Sequence, residues 1–325
     1  MTLYGWGNPR YFPGLPAPDV RYFDVDHDAR VLAHCHWQPK RWERPALLLL
    51  HGLNASSDAH YIRGIAMKAF ARGMNVVRLN QRNCGHTEHL SAGLFHSGLT
   101  ADARFVINEL LAVDGITAVA IAGYSLGGNL ALKLAGEYGE RPPAALRAVA
   151  AVSPILEISR CVHALERPGN FVYQWNFVHD LKARMRRKQQ CWPGRYDLSR
   201  LRFIRTVRQF DEVYTAPHFG FKDAEDYYHR ASAMRVIDRV RVPALVISAE
   251  DDPFVPPEPF TDPRVTANPC ITLKLCRYGG HCAFVGPRSA DDDGYWAEKE
   301  IVEFVDGRFG LPSHSSRAGK ARDGC

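Results

Sequence analysis

The stretch Gly123-Tyr124-Ser125-Leu126-Gly127 limits what this chain can fold into more than any other. The run before it, residues 117–122, is apolar after its first residue and rich in β-formers, as a strand covered on both faces is. The run after it, residues 129–135, consists mostly of strong helix formers. Strand, G-x-S-x-G, helix describes a sharp turn that holds a serine at its tip. Residues two before and two after the serine must be small, so that strand and helix converge while the serine backbone is held strained. Ala122 and Gly128 widen the zone of small residues. Ser125 is therefore a candidate nucleophile, set against the plainer reading of an ordinary strand-to-helix turn.

The rest of the chain alternates in the way such a turn requires. Residues 20–26 and 30–37 read as two strands that open a sheet, and residues 46–50 as a buried strand ending in His51-Gly52-Leu53. A helix is expected over 60–72, a strand over 75–79, a helix over 100–111, and strands over 116–122 and 146–152. The pattern then breaks across residues 154–235, which are long, polar and aromatic, and resumes with strands over 243–248 and 271–277 and a helix over 295–309. Short loops between alternating strands and helices imply a mostly parallel sheet with helices on both faces. The expected architecture is an α/β fold: core residues 1–153, an inserted helical cap over 154–235, core again over 236–311, and a disordered tail over 312–325.

A serine hydroxyl needs a base within reach, and the base needs a third group to orient it. Each partner belongs on a loop that follows a strand, in the chain order serine, acid, histidine. The strand over 243–248 leads into Ala249-Glu250-Asp251-Asp252-Pro253-Phe254, which offers two carboxylates. Asp252, directly before the proline turn, is the preferred acid, with Asp251 as the alternative. The last strand leads into Tyr278-Gly279-Gly280-His281, and of 14 histidines only His281 lies on a glycine turn after that strand. An unperturbed imidazole there would switch on as a base near pH ~6.5. Two backbone N–H groups are placed to receive an oxyanion: that of Leu126, behind the serine, and that of Leu53, in the loop after residues 46–50. His51 reads as a structural hydrogen-bonding residue rather than a catalyst.

With these residues in place the chain resembles the YheT-like branch of the α/β-hydrolases, relatives of the abhydrolase-domain lipases. The resemblance runs from about residue 8 to 309. It rests on His51-Gly52-Leu53-Asn54-Ala55-Ser56-Ser57 with His60-Tyr61-Ile62-Arg63, on His96-Ser97-Gly98-Leu99-Thr100-Ala101-Asp102, and on the serine turn. In the cap it rests on Thr215-Ala216-Pro217, Gly220-Phe221 and Asp226-Tyr227-Tyr228, and beyond it on Asp251-Asp252-Pro253-Phe254 and Gly279-Gly280-His281. The loop Arg82-Asn83-Cys84-Gly85-His86 departs from the Arg-Gly-Cys-Ser-Gly common in that branch. The resemblance implies hydrolysis of carboxylic esters, simple acyl esters or lipids, with no cofactor. The rival readings are acyl transfer to an alcohol by the same residues, and a binding protein on an inactive hydrolase fold.

Charge is uneven. Residues 154–235 hold 15 Lys/Arg against nine Asp/Glu, which accounts for the whole formal charge of +6, and residues 182–208 hold ten basic residues against Asp197 alone. That stripe is either a solvated helix face or an attractor for an anionic lipid surface or acidic substrate. Nucleic acid is not expected, because no recognition motif accompanies the charge. Cap aromatics, among them Phe171, Tyr173, Trp175, Phe177, Trp192, Phe203 and Phe210, either line an acyl pocket or pack the cap onto the sheet. Eight cysteines without any C-x-x-C spacing read as free thiols of a cytoplasmic protein. His34-Cys35-His36 and His86-Thr87-Glu88-His89 lack the spacing of a metal site. The first residues carry no signal-peptide pattern, and no run of about 18 apolar residues predicts a membrane span.

Overall fold

Unbroken runs of Leu, Val, Ile and Ala become central strands because both faces of a parallel sheet are covered. In the computed structural model, which describes residues 10–289 and 292–310, eight strands form one sheet. They are β1 (Asp19–Asp26), β2 (Ala29–His36), β3 (Ala46–Leu50), β4 (Asn75–Leu79), β5 (Val119–Tyr124), β6 (Leu146–Val152), β7 (Ala244–Ala249) and β8 (Ile271–Cys276). Their spatial order is β1-β2-β4-β3-β5-β6-β7-β8. β1 and β2 make an antiparallel hairpin and β2 runs antiparallel to β4, while every pairing from β4 across to β8 is parallel. The strand before the serine turn starts and ends later than the apolar run implies. Leu50 pairs with Gly123 and Val152 with Tyr124, so neighbouring ladders carry it up to the serine.

Alternate residues of β3 serve two different cores. Leu47 and Leu49 pack with α1 (His60–Ala71), whereas Leu48 and Leu50 pack with α2 (Ala101–Ala112) and α3 (Leu126–Tyr138). Between β6 and β7 the described chain contains no strand. It forms α4 (Ile158–Leu165), the long α5 (Phe171–Cys191), short helical turns between Leu201 and His218, and α6 (Ala224–Ala231). The closing α7 (Trp296–Phe309) lies on the α1 face. The tail expected over 312–325 lies outside the described residues.

This helical segment is tied to the core behind the serine turn. The buried Asn129 amide donates to the carbonyls of Ser97 (2.9 Å) and Ala231 (3.0 Å) and accepts from Ala233 N–H at 2.8 Å. Tyr227 Oη donates to Ser97 Oγ at 2.8 Å, and the Lys133 ammonium donates to the Arg230 carbonyl at 2.9 Å. Those bonds involve the motifs at 96–102 and 226–228. Asp102 in turn holds Arg82 through two buried bonds of 2.8 and 2.7 Å, which anchors the divergent 82–86 loop.

Candidate active site

Ser125 has φ 54° and ψ −115°, in the left-handed half of backbone space that a non-glycine residue occupies only when its surroundings impose it. Neighbouring glycines make that possible. A Cβ on Gly123 would overlap the Gly127 backbone, and one on Gly127 would overlap the carbonyls of Leu50 and His51. The strand end, the helix start and the loop after β3 therefore meet with no room for side chains. Gly52 lies against this knot, 3.4 Å from Ser125 Cβ where its own Cβ would stand. Its N–H donates to Tyr61 Oη at 3.0 Å, and the Tyr61 ring stacks on Tyr124 at 4.5 Å.

The loops after β7 and β8 converge on the same place. His281 Nδ1 donates to Asp252 Oδ2 at 2.8 Å, and both side chains are buried. The other Asp252 oxygen accepts the N–H groups of Phe254 (3.1 Å) and Val255 (3.0 Å), which fixes the carboxylate in the proline turn. Phe254 closes on the imidazole with ring centres 4.2 Å apart. Asp251 turns elsewhere: its Oδ1 accepts the N–H groups of Gly279 (2.8 Å) and Gly280 (2.7 Å), bracing the loop that presents His281. The structure thus brings Asp252, not Asp251, to the histidine. Burial disfavours the charged imidazole, but the Asp252 charge, the neighbouring Cys282 and the Asp252 hydrogen bond together outweigh it and raise the His281 pKa.

Ser125 sits between two openings. On one side Ser125, His281, Gly52, Leu53 and Cys282 line a mouth that Asn176, Phe177 and Asp180 of α5 overhang. On the other, Ser125, Leu53 and Leu126 stand at the end of a mainly apolar cavity of about 1020 Å³, its open part included. The cavity walls come from α4, from Phe177, Leu181 and Met185 of α5, and from Val207 and Phe210. Leu126 begins α3, where a helix has N–H groups without carbonyl partners of its own. Leu53 and Leu126, the two expected oxyanion donors, are thus both placed beside Ser125. His51 is buried, donates from Nδ1 to the Gly52 carbonyl at 2.8 Å and accepts at Nε2 from Gln81 N–H at 3.2 Å. Burial lowers its pKa to about 4, so it stays neutral and holds the loop.

Two charged groups of the cavity, Lys188 and Asp211, are held by hydrogen bonds. The Lys188 ammonium donates to Asn83 Oδ1 at 2.7 Å and to the carbonyls of Glu88 and Ser91, and burial lowers its pKa to about 8. Asp211 accepts from Thr215 Oγ1 at 2.7 Å and Tyr228 Oη at 2.8 Å, with its pKa raised to about 6 by burial. Among the two histidine motifs, His34 Nδ1 bonds Ser57 Oγ at 2.7 Å while His36 Nε2 accepts from Arg78 Nε at 3.0 Å, so the pair serves two different neighbours.

A profile of the α/β-hydrolase fold matches residues 45–285. The YheT protein of Escherichia coli strain K12 is 33% identical over 91% of this chain and 84% of its own length. The chain belongs to the YheT-like branch of the α/β-hydrolase family. Phospholipase ABHD3 of Mus musculus is 29% identical over 74% of this chain, which spans only 59% of that protein. The esterase Pf2001 of Pyrococcus furiosus has the same fold, with a TM-score of 0.59 at 13% identity, covering 92% of this chain and 96% of that one.

The cap aromatics divide. Phe177 and Phe210 line the cavity, Tyr173 packs on Phe254, and Trp192 donates its indole N–H to the Glu88 carbonyl at 2.9 Å. Phe171, Trp175 and Phe203 do neither and stand exposed. Sequence reasoning named Phe177 but passed over Leu181 and Met185 in the cavity wall of α5. Its signal is the spacing of Phe177, Leu181, Met185 and Lys188, one buried stripe on a helix whose mean composition is polar. It also passed over Tyr61 and Asn129, whose roles depend on partners far away in sequence.

Proposed function

We propose that the protein is a serine hydrolase of carboxylic esters. The observation that carries this is the convergence at one mouth of the strained Ser125 and of His281 oriented by buried Asp252. In this reading His281 takes the proton of Ser125 Oγ as the oxygen attacks the ester carbonyl carbon. The carbonyl oxygen becomes an oxyanion that the N–H groups of Leu53 and Leu126 receive. The intermediate collapses as His281 protonates the departing alcohol, leaving Ser125 acylated. Water then repeats the sequence and releases the acid. The two openings divide the substrate: the apolar cavity takes the acyl chain, and the mouth by Asn176 and Asp180 releases the alcohol. The names of relatives, a phospholipase among them, support an ester of lipid type.

Ser125→Ala tests the proposal. Turnover of p-nitrophenyl acyl esters should fall to background while the melting temperature stays within about 2 °C of wild type, because Ser125 makes no packing contribution its Cβ does not retain. Retained turnover would overturn the assignment. An alcohol added to the assay checks the transfer reaction, since ester products would then appear beside the free acid.

A further inference from the structure

The outer face of α5 gathers exposed apolar and basic side chains. At about 100° per residue, Phe171, Lys182, Trp175, Arg186, His179 and Val172 fall within about 100° of arc, on the side away from the buried stripe. Phe171 is 69% exposed, Trp175 64% and Val172 47%. The segment that follows lies alongside: Val207 N–H donates to Gln174 Oε1 at 3.2 Å, and Arg205 is near enough to Lys182 to help lower its pKa, after desolvation and with Arg186. That segment adds Phe203, 66% exposed, with the Arg202 guanidinium 4.6 Å from its ring centre.

Of the basic stripe, Arg187 pairs with Glu88, Arg195 with Asp28, and Arg208 with Glu166 and Glu225, while Lys188 is buried. Lys182, Arg186, Arg202 and Arg205 have no acidic partner among the described residues. Like charges gathered around exposed aromatics are unfavourable in water unless something anionic and apolar covers them.

We propose that this face docks on the surface of an anionic lipid bilayer. Phe171, Trp175 and Phe203 enter the headgroup and acyl boundary, while the four cations meet the lipid phosphates. A bilayer matches both halves of the patch, because aromatics and long basic side chains belong at that depth. The arrangement also sets the site toward the lipid. Asn176 and Asp180, which overhang the mouth at Ser125 and His281, lie on the same turns of α5 as Trp175 and His179. The inner face of that helix is the wall of the apolar cavity. This last link rests on the ester-hydrolase reading; the docking surface does not.

The test is co-sedimentation of the full chain with vesicles of equal parts phosphatidylglycerol and phosphatidylcholine, against phosphatidylcholine alone. Each basic side chain near such a surface is worth roughly fivefold in binding. The chain should therefore bind the anionic vesicles at least tenfold more tightly, and less so at high salt. The pairs Phe171→Ser with Trp175→Ser, and Lys182→Glu with Arg186→Glu, should each reduce binding about tenfold or more. Hydrolysis of soluble p-nitrophenyl butyrate should stay within about twofold in both, as neither pair touches the reacting atoms. Equal binding to both vesicles, or undiminished binding by either pair, overturns the proposal. So does a wild-type dimer in sedimentation velocity that the aromatic pair dissolves, which would make the face a self-association surface. Vesicle binding without any ester hydrolysis would sink the reaction and leave the docking face standing.

Discussion

At the scale of single residues, adjacent carboxylates have separate jobs. Asp252 faces the imidazole and Asp251 braces the glycines before it. Asp252→Asn should lower kcat by about 10⁴-fold, since the amide no longer selects the tautomer or stabilises the charged ring. Asp251→Asn should cost far less in kcat and act through a looser 279–284 turn, read as faster amide exchange there; the reverse ranking would exchange their roles. The same pair sets the pH response. A protonated His281 cannot accept the serine proton, so kcat/KM is low below its pKa and rises above it. Because Asp252 and Cys282 together outweigh burial and raise that pKa, the rise should come above the ordinary value of about 6.5. In any Asp252→Asn activity that remains, the rise should move to lower pH. A wild-type profile already flat at about pH 6 would remove His281 from the base role.

At the scale of elements, the serine turn is a close approach of three backbones, and its glycines serve packing. Gly127→Ala would set a methyl group against the Leu50 and His51 carbonyls, and because the three nearest atoms are all backbone they yield little. It should cost roughly 3 kcal/mol of stability. Gly307, inside α7 with nothing within 4 Å of an added Cβ, makes the opposite prediction. Gly307→Ala should stabilise the protein by about 0.8 kcal/mol through helix propensity. Urea unfolding of the two variants checks both signs. This turn was legible in sequence because its demands are local: small residues at fixed offsets between a β-rich and a helix-rich run. The start and end of β5 were less so, because ladder partners on β3 and β6 extend a strand past its own apolar run.

At the scale of the whole molecule, the helical segment between β6 and β7 turns an open serine turn into an enclosed site. Asn129 stitches that segment to the core through Ser97, Ala231 and Ala233. Asn129→Ala strands three buried backbone groups and should cost about 3 kcal/mol, with the melting temperature falling well before esterase activity at 25 °C does. Undiminished stability would show that the seam rests on its apolar contacts alone. The order of strands and helices, the serine turn, the histidine loop and the pair of carboxylates were all readable from the chain, since each is written in the period and punctuation of consecutive residues. The preference for Asp252 over Asp251 came from its place before the proline, whereas tertiary structure alone decided which cap aromatics line the cavity and which face water, and which cations of the stripe find partners. Those outcomes depend on side chains from distant parts of the chain arriving at one place, as Arg195 and Asp28 do, and side-chain direction across a packed interface is not encoded in local spacing.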